Sequence, residues 1–259
     1  MSNSPRDRVA DANEASKVAQ VTFAFWIMKI CATTLGETAG DLLSMTLGIG
    51  YAFSTVVLLA FFFATLGAQL ASRRFHPALY WAVIVSTSTA GTTMSDLVDR
   101  SFGLGYGLGA SLLAACLVAV LLGWRRDVGT LSVERVRSRR TEAWYWTAIL
   151  VSNTLGTALG DYLADSSGLG FLGGAALVGT AIALVAAAAA FTRIDRVVLF
   201  WIAFVLTRPF GATFGDLLTK PVDAGGLGFG TSGSSLVLAA ILLLLVAASS
   251  RATRDTTAA

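Results

Sequence analysis

The sequence predicts an all-α membrane protein with eight transmembrane helices, arranged as four parallel helical-hairpin repeats around a pseudo-symmetry axis. Three observations carry that prediction. The 259 residues are 55% hydrophobic and only 14% charged, with mean hydropathy +0.70, whereas a soluble domain carries about 25% charged residues. Several apolar runs reach the ~20 residues that a helix needs to cross a hydrocarbon core. One pattern of aromatic, glycine and aspartate then recurs four times at fixed offsets, which is the signature of a repeat architecture.

The four segments read FWIMKICATTLGETAGDLL, YWAVIVSTSTAGTTMSDLV, YWTAILVSNTLGTALGDYL and FWIAFVLTRPFGATFGDLL. Each opens on an aromatic residue followed by Trp26, Trp81, Trp146 or Trp201. At one constant distance stands a glycine (Gly36, Gly91, Gly156, Gly211), and at another an aspartate (Asp41, Asp96, Asp161, Asp216). A Gly-x-Gly-aromatic turn follows as GIGY, GLGY, GLGF and GLGF, and a second apolar run begins. Two runs per repeat place helices at 20–43, 47–71, 78–98, 104–124, 143–163, 168–191, 196–219 and 231–249. The longest linker separates the second and third repeats. It divides the chain into a tail (1–19), a first half (20–124), a basic loop (125–142), a second half (143–250) and a second tail (251–259). The first tail is polar and mixed in charge, lacks the pattern of a cleaved signal, and is expected to be disordered.

Orientation follows from the basic residues. Of 19 Lys and Arg, all but four fall in the tails and the loops between repeats; Lys29 and Arg208 lie inside helices, and Arg100 and Lys220 in the turns within repeats. The positive-inside rule then puts both termini and the loop 125–142 in the cytoplasm. With two spans per repeat, all four repeats point the same way, about an axis along the membrane normal. The net charge of +3 therefore reports topology. The bilayer is the expected partner and nucleic acid is not.

Soft metal ligands are scarce. Cys31 and Cys116 sit in apolar runs without ligand spacing, and the one histidine, His76, reads as a surface loop residue beside Arg73 and Arg74. Neither a zinc or copper site nor any cofactor is expected, and no phosphate-binding loop for ATP appears.

On its Trp, Gly-x-x-x-Gly-Asp and Gly-Leu-Gly positions, the stretch 20–250 resembles a bacterial membrane family. That family is built from a tandem repeat of unknown function, in four copies with two transmembrane segments and a characteristic tryptophan each. The resemblance implies this architecture, and the inner membrane of a bacterium is the expected location. It implies no activity.

The chemistry lies in the polar residues of the first helix of each repeat. Fifteen residues of helix rise about 22 Å, so the four Asp share one depth, toward the outer side of the membrane. A carboxylate there costs about 2.5 kcal/mol or more unless it has partners or faces a wet cavity. Convergence of Asp41, Asp96, Asp161 and Asp216 with Glu37 on one ion site would supply them. Thr38, Thr93, Thr157 and Thr213, one turn before each Asp, would support that site, and Arg208 would set its charge balance. A ring of repeats puts the fourth beside the first, so Arg208 should approach Glu37 or Asp41. The competing reading makes the Asp residues turn caps and lets the threonines bond back to their own helices. The pairs Gly36/Gly40, Gly156/Gly160 and Gly211/Gly215 let backbones approach closely, which would bring the odd-numbered helices inside the even-numbered ones. Each Trp is expected at the cytoplasmic interface.

Oxygen-only ligands suit hard ions. The leading expectation is a secondary transporter of a small inorganic cation (Mn²⁺ or Mg²⁺) or of H⁺ or Na⁺, and not an enzyme. The alternative is a non-transporting scaffold or regulatory partner that docks through the basic loop. Intramembrane aspartyl chemistry ranks third, because four equal Asp positions lack an asymmetric catalytic pair.

Overall fold

The computed structural model describes residues 17–72 and 74–258. Among them are eight long α-helices and no strand: α1 Phe23–Asp41, α2 Tyr51–Ala71, α3 Pro77–Asp96, α4 Tyr106–Val128, α5 Arg139–Asp161, α6 Gly170–Phe191, α7 Arg196–Thr219 and α8 Thr231–Ala258. Five are long and apolar enough to cross a membrane: α2, α4, α6, α7 and the stretch Thr231–Ser250 of α8. That is the composition of a multi-pass membrane protein. The remaining three, α1, α3 and α5, carry the Ser, Thr, Asn and acidic residues and bury them.

Local chemistry sets the starts of the odd-numbered helices. Thr22 caps α1 by accepting from Phe25 N, Pro77 opens α3, Ser138 caps α5 through Thr141 N, and Asp195 caps α7 through Val197 N. These are the residue types that satisfy or dispense with the free N–H groups of a first turn. The basic loop is shorter than the sequence suggested, because α4 runs on to Val128 and α5 begins at Arg139. Most of the N-terminal tail lies outside the described residues, but its end is packed: Lys17 and Val18 are buried.

The ends of the odd-numbered helices hold a feature the sequence did not disclose. After Asp41, Asp96 and Asp161 the helix widens into a five-residue π turn: Leu42–Thr46, Leu97–Ser101 and Tyr162–Ser166. The Gly-x-Gly that follows takes positive φ at both glycines (Gly48 67°, Gly50 82°), a backbone that costs other residues strain. The fourth repeat departs from this. Its α7 stays α-helical to Thr219 and breaks at Lys220-Pro221. Proline has no N–H to give a π turn and holds the residue before it extended; Lys220 has ψ 153°.

The odd-numbered helices form a closed inner ring, α1 on α3, α3 on α5, α5 on α7 and α7 back on α1. Glycine makes each contact. A Cβ on Gly36 would lie 2.3 Å from Ser88 Cβ, one on Gly91 3.0 Å from Asn153, one on Gly156 2.4 Å from Arg208 Cβ, and one on Gly211 2.7 Å from Thr33 Oγ1. The even-numbered helices stand outside, each laid mainly on the inner helix of the following repeat: α2 on α3, α4 on α5, α6 on α7 and α8 on α1. The packing unit therefore straddles the sequence repeat, and α8 closes the ring on α1. The division shows in burial: 61% of the apolar stretch of α7 is buried, against 17% for α2, α4 and α6.

Candidate functional site

Residues four apart share a helix face. Four-residue steps along the inner helices define a stack of layers, one residue from each repeat per layer. The stack begins with Phe25, Tyr80, Tyr145 and Phe200, all buried. Tyr80 and Tyr145 share a hydroxyl hydrogen bond of 2.6 Å, and the Phe25 and Phe200 rings lie 6.4 Å apart. Trp81, Trp146 and Trp201 fill in around them. These three tryptophans, expected at the depth of the cytoplasmic interface, have their rings buried, because neighbouring helices surround the inner ring. The indole of Trp201 donates to Leu131 O in the basic loop at 3.1 Å.

The next layer is Lys29, Ile84, Ile149 and Phe204, fully buried. Lys29 Nζ lies 4.1 Å from the centre of the Phe204 ring and 3.4 Å from Asn153 Oδ1. Together the two layers make an aromatic and aliphatic floor across one end of the ring.

Above the floor the lining turns polar. Thr33, Ser88, Asn153 and Arg208 form one layer, and Glu37, Thr92, Thr157 and Ala212 the next. Arg208 is completely buried and reaches up into the second of these. Its Nη2 donates to Glu37 Oε2 at 2.9 Å, to Thr157 Oγ1 at 2.7 Å and to Thr92 Oγ1, while Nη1 donates to Thr33 O at 3.2 Å. One guanidinium from α7 thus ties together α1, α3 and α5. The approach to Glu37 anticipated from the ring arrangement is direct.

The four aspartates form the following layer, each 3–4% exposed. They are grouped in pairs by two cations that the sequence reading had left in the turns. Lys220 Nζ sits 2.7 Å from Asp41 Oδ2 and 3.1 Å from Asp216 Oδ1. Arg100 Nε sits 2.8 Å from Asp96 Oδ1, with Nη2 3.7 Å from Asp161 Oδ2 and 3.9 Å from Asp165 Oδ2. Each cation stands four residues after its own Asp and reaches the Asp of the next repeat, so the fourfold sequence repeat carries a twofold charge pattern. Both side chains are partly exposed, at 22% and 33%, which marks this end of the stack as the open one. Burial alone would lower the Lys220 ammonium, but Asp216 and Asp41 outweigh it and hold its pKa above the ordinary lysine value.

Of the supporting threonines, Thr157 faces the axis. Thr38, Thr93 and Thr213 do not. They stand three residues before the Asp, where the axial face falls at four. Thr38 accepts from Ser235 of α8 at 2.8 Å, Thr93 bonds back to Ala90 O, and Thr213 bonds back to Pro209 O with its methyl near Gly174 of α6. Thr92, one residue earlier, takes the axial place in the second repeat. Among the described residues, carboxylate oxygens of Glu37, Asp41 and Asp216 lie within 4.8 Å of one another, all buried, an arrangement able to hold a metal ion.

A family model described as Repeat of Unknown Function (DUF347) matches residues 24–75, 79–130, 144–195 and 199–255. No curated protein and no solved structure matches the chain.

Proposed function

Because the chain belongs to this four-repeat DUF347 family, whose description assigns no activity, we propose a function from its own residues. It is a secondary transporter, not an enzyme, and moves a small hard cation along the axis of the inner ring. The observation that carries this reading is the layer of four equivalent aspartates, buried at one level beside Glu37. Turn caps would need no such convergence, and none of the three π turns takes a cap hydrogen bond from its Asp side chain.

The charge balance supports cation handling. Five carboxylates (Glu37, Asp41, Asp96, Asp161, Asp216) face three cations that pair with them (Arg100, Arg208, Lys220), and still outnumber the cations when Lys29 of the floor is added. The excess of acid favours an added proton or hard cation, because an unpaired buried carboxylate is costly. Oxygen is the only donor in the layer, which suits Mn²⁺, Mg²⁺, Na⁺ or H⁺. The layer is reached from the turn side and closed by the floor on the other, so transport requires the floor layers to part, as alternating access does in repeat-built carriers.

All eight helices span the bilayer in this reading. The three helices too polar to face lipid are shielded by α2, α4, α6 and α8. The arginine-rich loops lie in the cytoplasm of a bacterial cell with both termini, and the Asp layer lies toward the outer face of the inner membrane. The test is flux. Purified protein in liposomes should admit Mn²⁺, read by a quenched internal dye, faster than protein-free vesicles. If Mn²⁺, Mg²⁺, Na⁺ and H⁺ all fail to move, the reading falls and a non-transporting scaffold takes its place.

A further inference from the structure

The two cation clamps are built alike but chemically unequal. Arg100 lies inside the regular π turn Leu97–Ser101, in a repeat pair whose axial partners one layer down are Thr92 and Thr157. Its guanidinium is always charged and grips carboxylates through a rigid fork. Lys220 instead lies beyond the end of α7, on the irregular segment that replaces the π turn in the fourth repeat. A lysine ammonium is a compact point charge on a flexible stem. Beneath it stands a third acid that the other clamp lacks, Glu37, held by Arg208. The Glu37, Asp41 and Asp216 oxygens lie within 4.8 Å of one another, near enough for one hard divalent cation to take all three as ligands.

We propose that Lys220 is a tethered surrogate cation: its ammonium occupies the place that a hard divalent cation takes between Asp41, Asp216 and Glu37, and must swing out before that ion binds. Arg100 is a permanent clamp that positions Asp96 and Asp161. The proposal rests on the transport reading and adds the exchange step to it. The ammonium stands within 3.1 Å of both aspartates, so ion and ammonium cannot share the site. The ammonium also lies 4.0 Å from Met45 Sδ, and the partly exposed side chain gives Lys220 a way out toward the open end. Ion and ammonium take the place in turn, so the two positive charges never crowd one site.

Equilibrium dialysis of the purified full chain against Mn²⁺ tests this. Lys220→Gln removes the competitor and should bind one Mn²⁺ at least tenfold more tightly than wild type. Lys220→Gln with Asp216→Asn should lose that gain, and Arg100→Gln should show none. Lys220→Arg keeps the charge, and with it the fold, but replaces a displaceable cation by a fork; it should bind at least tenfold more weakly than wild type. Affinity in Lys220→Gln no better than wild type, an equal gain in Arg100→Gln, or unchanged binding in Lys220→Arg would each overturn the proposal. Flux in liposomes alongside any of these results removes only the role of Lys220. Tight binding in Lys220→Gln without flux in wild type removes the transport reading and leaves a cation site.

Discussion

Replacing Arg208 with Gln removes a side chain that reaches all three other inner helices. The guanidinium is completely buried and pairs with a glutamate only 3% exposed. Removing one member of such a pair leaves an uncompensated buried charge, which typically costs about 3–5 kcal/mol. That figure includes the lost hydrogen bonds to Thr33 O, Ser88 O, Thr92 and Thr157, at about 0.6 kcal/mol each by the average measured between membrane helices. Arg208→Gln should therefore destabilise the protein by about 3–5 kcal/mol. Adding Glu37→Gln neutralises the stranded carboxylate and should restore about half, leaving the hydrogen-bond share of roughly 2 kcal/mol. The assay is reversible unfolding in mixed micelles by added SDS, followed by tryptophan fluorescence. A loss below about 1 kcal/mol, or a double variant as unstable as the two single losses added together, would refute the hub and show that the pair carries no coupling.

Other expectations follow from the packing and the charge distribution. Gly36→Ala places a Cβ 2.3 Å from Ser88 Cβ and should cost about 1–3 kcal/mol by overpacking in the same unfolding assay. Gly67→Ala on α2, with nothing within 4 Å of the new Cβ, should be neutral or better; equal costs at both would deny the tight ring. In a background without Cys31 and Cys116, an impermeant thiol reagent added to whole cells should label a cysteine placed at Ser166 and spare one at Ser138. The reverse pattern would turn the molecule over and put the Asp layer near the cytoplasm.

Much of this architecture is legible in the sequence because one repeat is read four times. The Gly-x-x-x-Gly spacing shows which helices approach closely, and the Trp-to-Asp distance puts the aspartates in one layer. What escaped is register and handedness. Three- and four-residue steps both lie near one helix face, and only the structure shows that the axis follows the four-residue step. Hence Thr92 lines the stack where Thr93 does not, and Thr38 and Thr213 turn toward α8 and α6. The even-numbered helices pack on the next repeat in all four cases, with or without a π turn, and no residue pattern spells either feature. Arg100 and Lys220 stood in view as the two basic residues of the within-repeat turns. Their alternation, four residues after Asp in the second and fourth repeats but replaced by Met45 and Asp165 in the others, is the signal that would have found the clamps. Burial of Trp81, Trp146 and Trp201 was not legible either, since the interface rule describes helices that meet lipid.

The central claim is that the four aspartates act as one ion-handling layer and do not merely end four helices. Its most direct test is Mn²⁺ flux in liposomes carrying, in turn, Asp41→Asn, Asp96→Asn, Asp161→Asn and Asp216→Asn, with each variant first shown to be folded by gel filtration. Asparagine caps a turn about as well as aspartate but carries no charge for a cation. The account predicts that each replacement lowers flux at least tenfold while the protein remains folded; wild-type flux in all four variants would contradict it.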